Sequence, residues 1–196
     1  MANIKSMIGK DKVLSGVERI VFVPWEQDED TGDWAKADSG FALDSIVADT
    51  TTISQDEAET NAIDCETRDE PIVENITLGS YQFSCESASV APEILEHCLG
   101  FTVVKDSGGK LTAAYAPATY QERWAEVEIM FKQGYSMVLP KIKLSSNIDG
   151  SSLKTGVPRG IISGTAYTTQ VKGADDKTYE TPFYMSGTPV NTIATA

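Results

Sequence analysis

The fold is decided by two neighbouring stretches, WAEVEIMFK at residues 124–132 and MVLPKIKL at residues 137–144. In the first stretch, apolar side chains at Val127, Ile129 and Phe131 alternate with charged ones, and the second stretch repeats the alternation. Successive side chains of a strand point to opposite faces of a sheet, so this period of two predicts two long strands, each with one apolar and one charged face. The charged positions, which we expect to face water, are Glu126, Glu128, Lys132, Lys141 and Lys143.

A third run of strand character covers residues 160–171 and is rich in Ile, Thr and Tyr. Its Gly160 and Gly164 carry no side chain, which allows another backbone to approach closely. The loop SSNIDGSS at residues 145–152 separates this run from the preceding strand and matches no enzyme motif. Together the three runs predict a sheet that acts as a wall, with a core packed behind it and water or a passing polymer in front.

One short helix is expected between the strands. Pro92 suits its first turn and Gly100 its end. The residues between them place an apolar stripe at helical spacing, namely Ile94, Leu95, Cys98 and Leu99. A helix of about two turns is not stable alone, so it must dock on the sheet. Because helices and strands do not alternate, we expect no parallel sheet, and the pattern favours an all-β domain with one short α-helix docked on it.

The length and the pattern favour a single β domain. With 196 residues, the chain is long enough for one all-β domain with long loops. Residues 1–15 are expected to form an N-terminal arm, residues 16–185 the domain, and residues 186–196, which carry no charge, a flexible C-terminal tail. The first strand, residues 17–23, is expected to end at Pro24. The sequence has no run of about 18 apolar residues and no signal peptide pattern, so we expect no association with a membrane.

The net charge of −13 is concentrated in one segment. Residues 26–74 hold sixteen acidic and two basic residues, whereas the rest of the chain is nearly balanced. Tight binding of nucleic acid depends on Lys and Arg, so this composition argues against a surface that grips DNA and is compatible with one that DNA slides past. Within this long acidic loop region, residues 48–68 contain only two large aliphatic residues. They predict either a long hairpin or a loop that a partner orders.

The sequence lacks the patterns of catalytic and metal-binding sites. His97 is the only histidine, and no nucleophile elbow, phosphate-binding loop or dinucleotide-binding motif occurs. The acidic run at residues 28–33 has its glycine at the wrong position for a calcium-binding EF-hand loop. Cys65, Cys85 and Cys98 show no Cys-x-x-Cys spacing and are expected to be free thiols. We therefore expect no enzyme activity, no cofactor and no metal site.

The order of elements resembles a known family. The strand at residues 135–144, the polar loop after it and the stretch LKTGVPRGIISGTA at residues 153–166 are similar to the C-terminal half of bacteriophage major tail tube proteins. The resemblance extends over roughly residues 16–185 in the order of elements. It implies a β-sandwich or barrel with one short helix, in a structural virion protein that stacks as hexameric rings into a hollow tube for DNA passage.

This resemblance also implies partners and a location. The subunit is expected to bind other copies as a homo-hexamer, other tail proteins (tape measure, terminator, and baseplate or tip), and passing double-stranded DNA. It is expected to assemble in the host bacterial cytoplasm and to reside in the virion tail. The charged faces of the two central strands become the candidate channel wall, with their lysines paired to Glu126 and Glu128 across the sheet. The candidate ring-stacking loop comprises Ile53, Asp56, Glu57, Glu59 and Ile63.

Two other functions fit the same features. A tube protein of a contractile secretion or injection system shares the fold but passes protein instead of DNA, and the sequence does not separate the two. A carbohydrate-binding β-sandwich module needs exposed aromatic residues on one face, whereas Trp25, Trp34 and Trp124 are scattered along the chain.

Overall fold

Strands dominate the chain, as the alternating patterns predict. The computed structural model describes residues 16–191, except residues 29, 44, 66–67, 89–90 and 150–158, and gives residues 61–75 by their backbone. The expected arm at residues 1–15 and the end of the expected tail lie outside the described residues. The strands, in chain order, are β1 (Val17–Gln27), β2 (Trp34–Lys36), β3 (Phe41–Leu43), β4 (Thr52–Gln55), β5 (Glu59–Cys65), β6 (Arg68–Thr77), β7 (Tyr81–Ser87), β8 (Thr102–Lys105), β9 (Leu111–Tyr115), β10 (Trp124–Phe131), β11 (Ser136–Leu144), β12 (Asn147–Asp149), β13 (Arg159–Ala166), β14 (Thr169–Lys172), β15 (Thr178–Thr181) and β16 (Tyr184–Ser186).

The expected helix is present, but it is wound as a π-helix, Ile94–Cys98. The Leu99 N–H donates to the Ile94 carbonyl at 3.0 Å, five residues back, whereas an α-helix bonds four residues back. The segment begins with an α-type bond, since the Leu95 N–H donates to the Ala91 carbonyl at 3.0 Å. The predicted short helix is therefore confirmed, and only its later part departs from the α pattern, which the apolar stripe does not fix. The stripe itself is confirmed, since Ile94, Leu95 and Cys98 are buried.

Within the described residues, ten strands form one antiparallel sheet. Its order is β2-β1-β10-β11-β13-β7-β4, and β3, β12 and β16 pair with β1, β13 and β11 respectively. The two strands predicted first, now β10 and β11, are neighbours near its centre. The third predicted run is divided into β13 and β14. Three two-stranded ribbons, β5–β6, β8–β9 and β14–β15, form separate sheets. Residues 48–68 thus contain edge strand β4 and part of the long β5–β6 hairpin, one of the two predicted alternatives.

The sheet curls until its two sides meet. The rings of Phe22 on β1 and Phe83 on β7 have centroids 6.1 Å apart. Along the sheet, however, four strand-to-strand steps of about 4.8 Å separate these two strands. Beyond β3, the Val47 N–H donates to the Glu86 carbonyl at 2.9 Å, which joins the β3 side of the sheet to β7. The domain is therefore barrel-like, in agreement with the all-β prediction.

The core fills the inside of this curl. Its largest fully buried hydrophobic side chains come from β1, β7, β10, β11 and β13, and are Ile20, Phe22, Phe83, Ile129, Leu139, Ile142, Leu144 and Ile162. The π-helix adds its apolar stripe to the same cluster. Burial of each large aliphatic or aromatic side chain stabilises the fold by about 1.5–3 kcal/mol, which is why a helix this short stays docked.

The prediction that β1 ends at Pro24 is wrong, because the strand continues to Gln27. The Pro24 carbonyl accepts the Ala37 N–H at 2.9 Å, on the side of β2. In an antiparallel pair the nitrogen and carbonyl of one residue face the same neighbour. The missing N–H of Pro24 therefore points away from β10 and removes no bond between the two long strands.

Two glycines are required by close contacts. At Gly164, a Cβ would lie 2.6 Å from the carbonyl oxygen of Lys143, which confirms the predicted close approach of backbones. At Gly160 the nearest atom would be 3.6 Å away, an ordinary contact, so the prediction fails there. Gly100 has φ of 71°, and a Cβ would lie 1.8 Å from Arg123 Nη1, so only glycine fits where the helical segment ends.

Cys85 and Cys98 are predicted to resist alkylation in the native protein. Both are buried free thiols. Burial raises the pKa of Cys85 to about 12, with a smaller contribution from the charge of Glu86, and burial also raises the pKa of Cys98. At pH 8 both groups stay protonated, and the thiolate is the reactive form. We expect iodoacetamide to label them only after unfolding, as measured by peptide mass spectrometry, which separates both from Cys65. Native labelling at the rate of a short cysteine peptide would contradict this.

Candidate functional site

The face of the sheet that points away from the core carries most of its charged and hydroxyl side chains. One row of cross-strand partners runs across the full width of this outward face. The row consists of Lys36, Trp25, Trp124, Lys143, Thr165, Gln82 and Ser54. The residues next to it along the strands, such as Ala125, Ile142 and Ala166, belong to the core. The outward face has a covered part on β10 and a more open part on β13, β7 and β4.

The covered part contains two buried carboxylates. Glu128 is 0% exposed and Glu126 is 7% exposed. Both project from β10, where Glu128 is opposite Val21 of β1 and Glu126 is opposite Val23. A carboxylate is not stable in such a setting unless hydrogen bonds or an opposite charge replace its water.

The end of the described chain supplies these hydrogen bonds. The Glu128 carboxylate accepts the Val190 N–H at 2.7 Å and the Asn191 N–H at 2.8 Å. The Asn191 side-chain amide donates to Glu128 and to Glu126, each at 2.9 Å. Lys36 Nζ pairs with Glu126 at 2.6 Å. We call residues 184–191 the C-terminal strap, because they run from β16, which pairs with β11, to these two carboxylates.

The strap corrects two predictions. The two glutamates were expected to face water on the channel wall, but both are buried in this subunit because the strap lies over them. The segment after residue 185 was expected to be a flexible tail, but residues 186–191 bond to the sheet. Tyr184, at the start of the strap, is half-buried, and its pKa is raised by burial and by the nearby charges of Glu126 and Glu128.

The three candidate lysines do not lie together. Lys132 follows the last residue of β10 and is exposed, roughly 25 Å along the strand from Lys141 and Lys143, which lie near its first residue. None of the three pairs with the two buried glutamates within the described residues. Lys143 Nζ instead contacts Glu122 at 3.0 Å. The expected pairing across the sheet is therefore wrong, because Lys36 and the strap already occupy the carboxylates.

Lys141 and Lys143 are part of an aromatic surface. Lys141 Nζ lies 4.8 Å from the ring centroids of both Trp25 and Trp124, and Lys143 Nζ lies 5.5 Å from Trp124. Tyr167 packs edge-on against Trp124 with 4.9 Å between centroids. We call these five residues the Trp–Lys surface. Contacts of this kind between a cation and an indole stabilise by about 0.5–2 kcal/mol and orient both partners.

The open part of the outward face is formed by uncharged polar side chains. We call it the hydroxyl face, and it comprises Thr52, Ser54, Gln82, Ser84, Ser163 and Thr165. Thr165 donates to Gln82 at 2.8 Å. At its border Arg159 pairs with Glu86 at 3.0 Å, so these two charges cancel. None of the predicted site residues lies on this face, although Gln82 and Ser84 alternate with buried Phe83 and Cys85.

The candidate ring-stacking residues are only partly brought together. Ile53 is half-buried in β4 and packs against the core, so it is not part of a loop. Asp56 and Glu57 lie between β4 and β5, and Glu59 begins β5; all three are exposed. Ile63 is within β5. We call the segment from Asp56 to Glu59 the acidic loop.

No metal centre or membrane span is found in the described part of the chain. No group of three His, Cys, Asp or Glu side chains there is suited to hold a metal ion. In the acidic run at residues 28–33, the Asp28 carboxylate bonds to the backbone of its own turn, since it accepts the Thr31 N–H at 2.8 Å and the Asp30 N–H at 2.9 Å. These bonds hold the pKa of Asp28 below its ordinary value. Across the same residues, the helical segments are too short or too polar to cross a bilayer.

Replacing Glu128 with Ala is predicted to lower the free energy of unfolding by about 2–4 kcal/mol. The change leaves the N–H groups of Val190 and Asn191 without their acceptor, and a buried unsatisfied group costs about 1–3 kcal/mol. Urea unfolding monitored by circular dichroism measures the loss. Glu18→Ala, at an exposed position of β1, is the matched control and should change stability by less than about 0.5 kcal/mol. An unchanged midpoint for the Glu128 variant would show that the strap is not held by this carboxylate.

The comparisons with known proteins assign no family to this chain. No protein-family model matches the sequence, and no curated protein is detectably similar to it. A functional assignment therefore depends on the geometry of the outward face and on the resemblance carried by residues 135–166.

Proposed function

We propose that this chain is a structural subunit that assembles into hexameric rings stacked as a hollow tube for DNA passage, as its resemblance to major tail tube proteins implies. In this proposal the protein is not an enzyme and needs no cofactor. Its partners are other copies of itself, the other proteins of a virion tail, and the double-stranded DNA that passes through the tube.

The hydroxyl face is the observation that most supports this function. A channel for DNA must be polar enough to be wetted, yet must not hold phosphates, because each Lys or Arg contact releases counterions and adds affinity. The hydroxyl face meets both conditions, since its six members are uncharged and its neighbours Glu86 and Arg159 form an ion pair. A third charged neighbour, Asp56, accepts a hydrogen bond from Gln82 at 3.0 Å and repels phosphates. In the proposal this face, instead of the two central strands, lines the channel.

Exposed apolar residues on the ribbons support self-assembly. Ile76 and Leu78, at the end of β6 and just beyond it, are 64% and 76% exposed, and Tyr115 at the end of β9 is 62% exposed. All three lie at the open ends of their ribbons, away from the hairpin turns, and exposed apolar side chains are suited to burial against another molecule. In a ring or a stack of rings, neighbouring copies supply that surface.

The purified protein is predicted to form rings, and at high concentration tubes, without any added cofactor. The exposed apolar side chains of the ribbons and the sheet edge at β4 are then buried between copies. Sedimentation velocity over a wide concentration range, followed by negative-stain microscopy of the large species, tests this. A chain that stays monomeric at every concentration and salt level would contradict the proposal.

Lysines placed on the hydroxyl face are predicted to make the assembled rings hold DNA. In Ser84→Lys/Ser163→Lys, each ring gains positive charge along the proposed channel, so a short duplex should bind more tightly at low salt and with a steeper salt dependence. Thr102→Lys/Thr112→Lys, at exposed positions on the β8–β9 ribbon, is the matched control. Filter binding measures both. If the two variants bind DNA equally, the hydroxyl face does not line the channel.

A further inference from the structure

We propose that the Trp–Lys surface of one copy binds the acidic loop of a second copy. This inference rests on the proposed function, because it assigns the two surfaces by which subunits meet. It identifies Lys141 and Lys143 on one side of the contact, and Glu57 and Glu59 on the other.

The Trp–Lys surface has hydrogen-bond donors that lack acceptors. Lys141 packs against two indole rings but forms no ion pair within the described residues. The indole N–H of Trp124 is buried and has no hydrogen-bond partner there. Of the cluster's two ammonium groups, only that of Lys143 has a carboxylate, that of Glu122. An ammonium group that has no carboxylate partner matches a ligand that supplies oxygen acceptors and negative charge, which is the chemistry of a carboxylate.

The backbone holds this surface in place before any partner binds. The pairing of β10 with β11 shifts between Ala125 and Val127, so that Pro140 and Lys141 lie opposite one residue, a β-bulge. Trp25 Nε1 donates to the Pro140 carbonyl at 3.3 Å, which ties one indole to the bulge. Because the lysine is already oriented, binding costs less side-chain entropy than it would at a free lysine.

The acidic loop is the complementary surface on the same chain. Glu57 and Glu59 are exposed and form no ion pair with the described residues. Beside them, Ile76 and Leu78 expose apolar side chains that suit the aromatic part of the Trp–Lys surface. The loop belongs to the segment with a net charge of −14. Acidic and apolar groups on one side thus face basic and aromatic groups on the other.

The two surfaces do not meet within one subunit. Along the sheet, Ser54 beside the acidic loop is three strand-to-strand steps from Lys143, a path of about 14 Å, and within the described residues no ion pair joins Glu57 or Glu59 to the two lysines. Contact therefore requires a second copy. In a ring or a stack, each copy would offer its Trp–Lys surface to one neighbour and its acidic loop to another, which is a head-to-tail contact.

A charge exchange tests the pairing. Lys141→Glu/Lys143→Glu and Glu57→Lys/Glu59→Lys are each expected to need at least about tenfold more protein than the parent chain to assemble, because each brings like charges together. An equimolar mixture of the two variants should assemble near the parent's concentration, since every head-to-tail contact between unlike copies again joins opposite charges. Sedimentation velocity measures all three samples. Lys110→Glu/Lys177→Glu, at exposed positions on other ribbons, is the control and should assemble like the parent.

The outcomes separate this inference from the proposed function. If the parent assembles and both variants assemble equally well, the contact is wrong and the proposed function stands. Impaired variants that do not rescue each other would show that these surfaces do not bind one another. A parent chain that never assembles overturns both. Glu57→Lys/Glu59→Lys changes exposed residues of the acidic loop. This variant therefore still tests the contact if Lys141→Glu/Lys143→Glu, whose lysines pack on the indoles, fails to fold.

Discussion

The buried carboxylate of Glu128 is the interaction on which the outward face of this domain depends. A buried charge is tolerated only when nearby groups replace its water, and here two backbone N–H groups and the Asn191 amide do so. The same bonds fix the C-terminal strap over β10. As a result, the two acids lie under the strap, and the more open part of the face is the uncharged one.

The curl of the sheet places the covered and the open parts of the outward face on different sides of the domain. A flat sheet of this width would present its charged and uncharged side chains on one continuous face. Because the sheet curls and closes near β3 and β7, it encloses the core, and the outward side chains of different strands point in different directions. The hydroxyl face and the Trp–Lys surface lie at different places along one row of cross-strand partners. In the proposals, the neutral surface lines the channel and the charged surface binds another copy. The lysines, which could bind DNA phosphates, then bind carboxylates of the neighbouring copy instead.

The sequence was a good guide where a single strand carries the information. The alternation at residues 124–132 and 137–144 predicted β10 and β11, and the apolar stripe from Ile94 predicted a docked helix. It failed where a distant segment changes the surroundings. Glu126 and Glu128 alternate like solvent-facing residues, and the uncharged segment that covers them lies some sixty residues later with no periodicity to mark it.

The hydroxyl face was not predicted for a different reason. The alternation of Gln82 and Ser84 with Phe83 and Cys85 was present, and a search for uncharged polar residues at a period of two would have found it. The π-helix lacked such a signal, because the same residues satisfy helical spacing in either hydrogen-bond pattern.

Electron cryomicroscopy of the assembled protein, at a resolution that traces strands, tests the central claim most directly. We expect a hollow tube of stacked hexameric rings in which β13, β7 and β4 line a channel wide enough for a DNA duplex, with the strap still bound to Glu128. A tube with these strands on its outer surface, or a solid fibre without a channel, would contradict it.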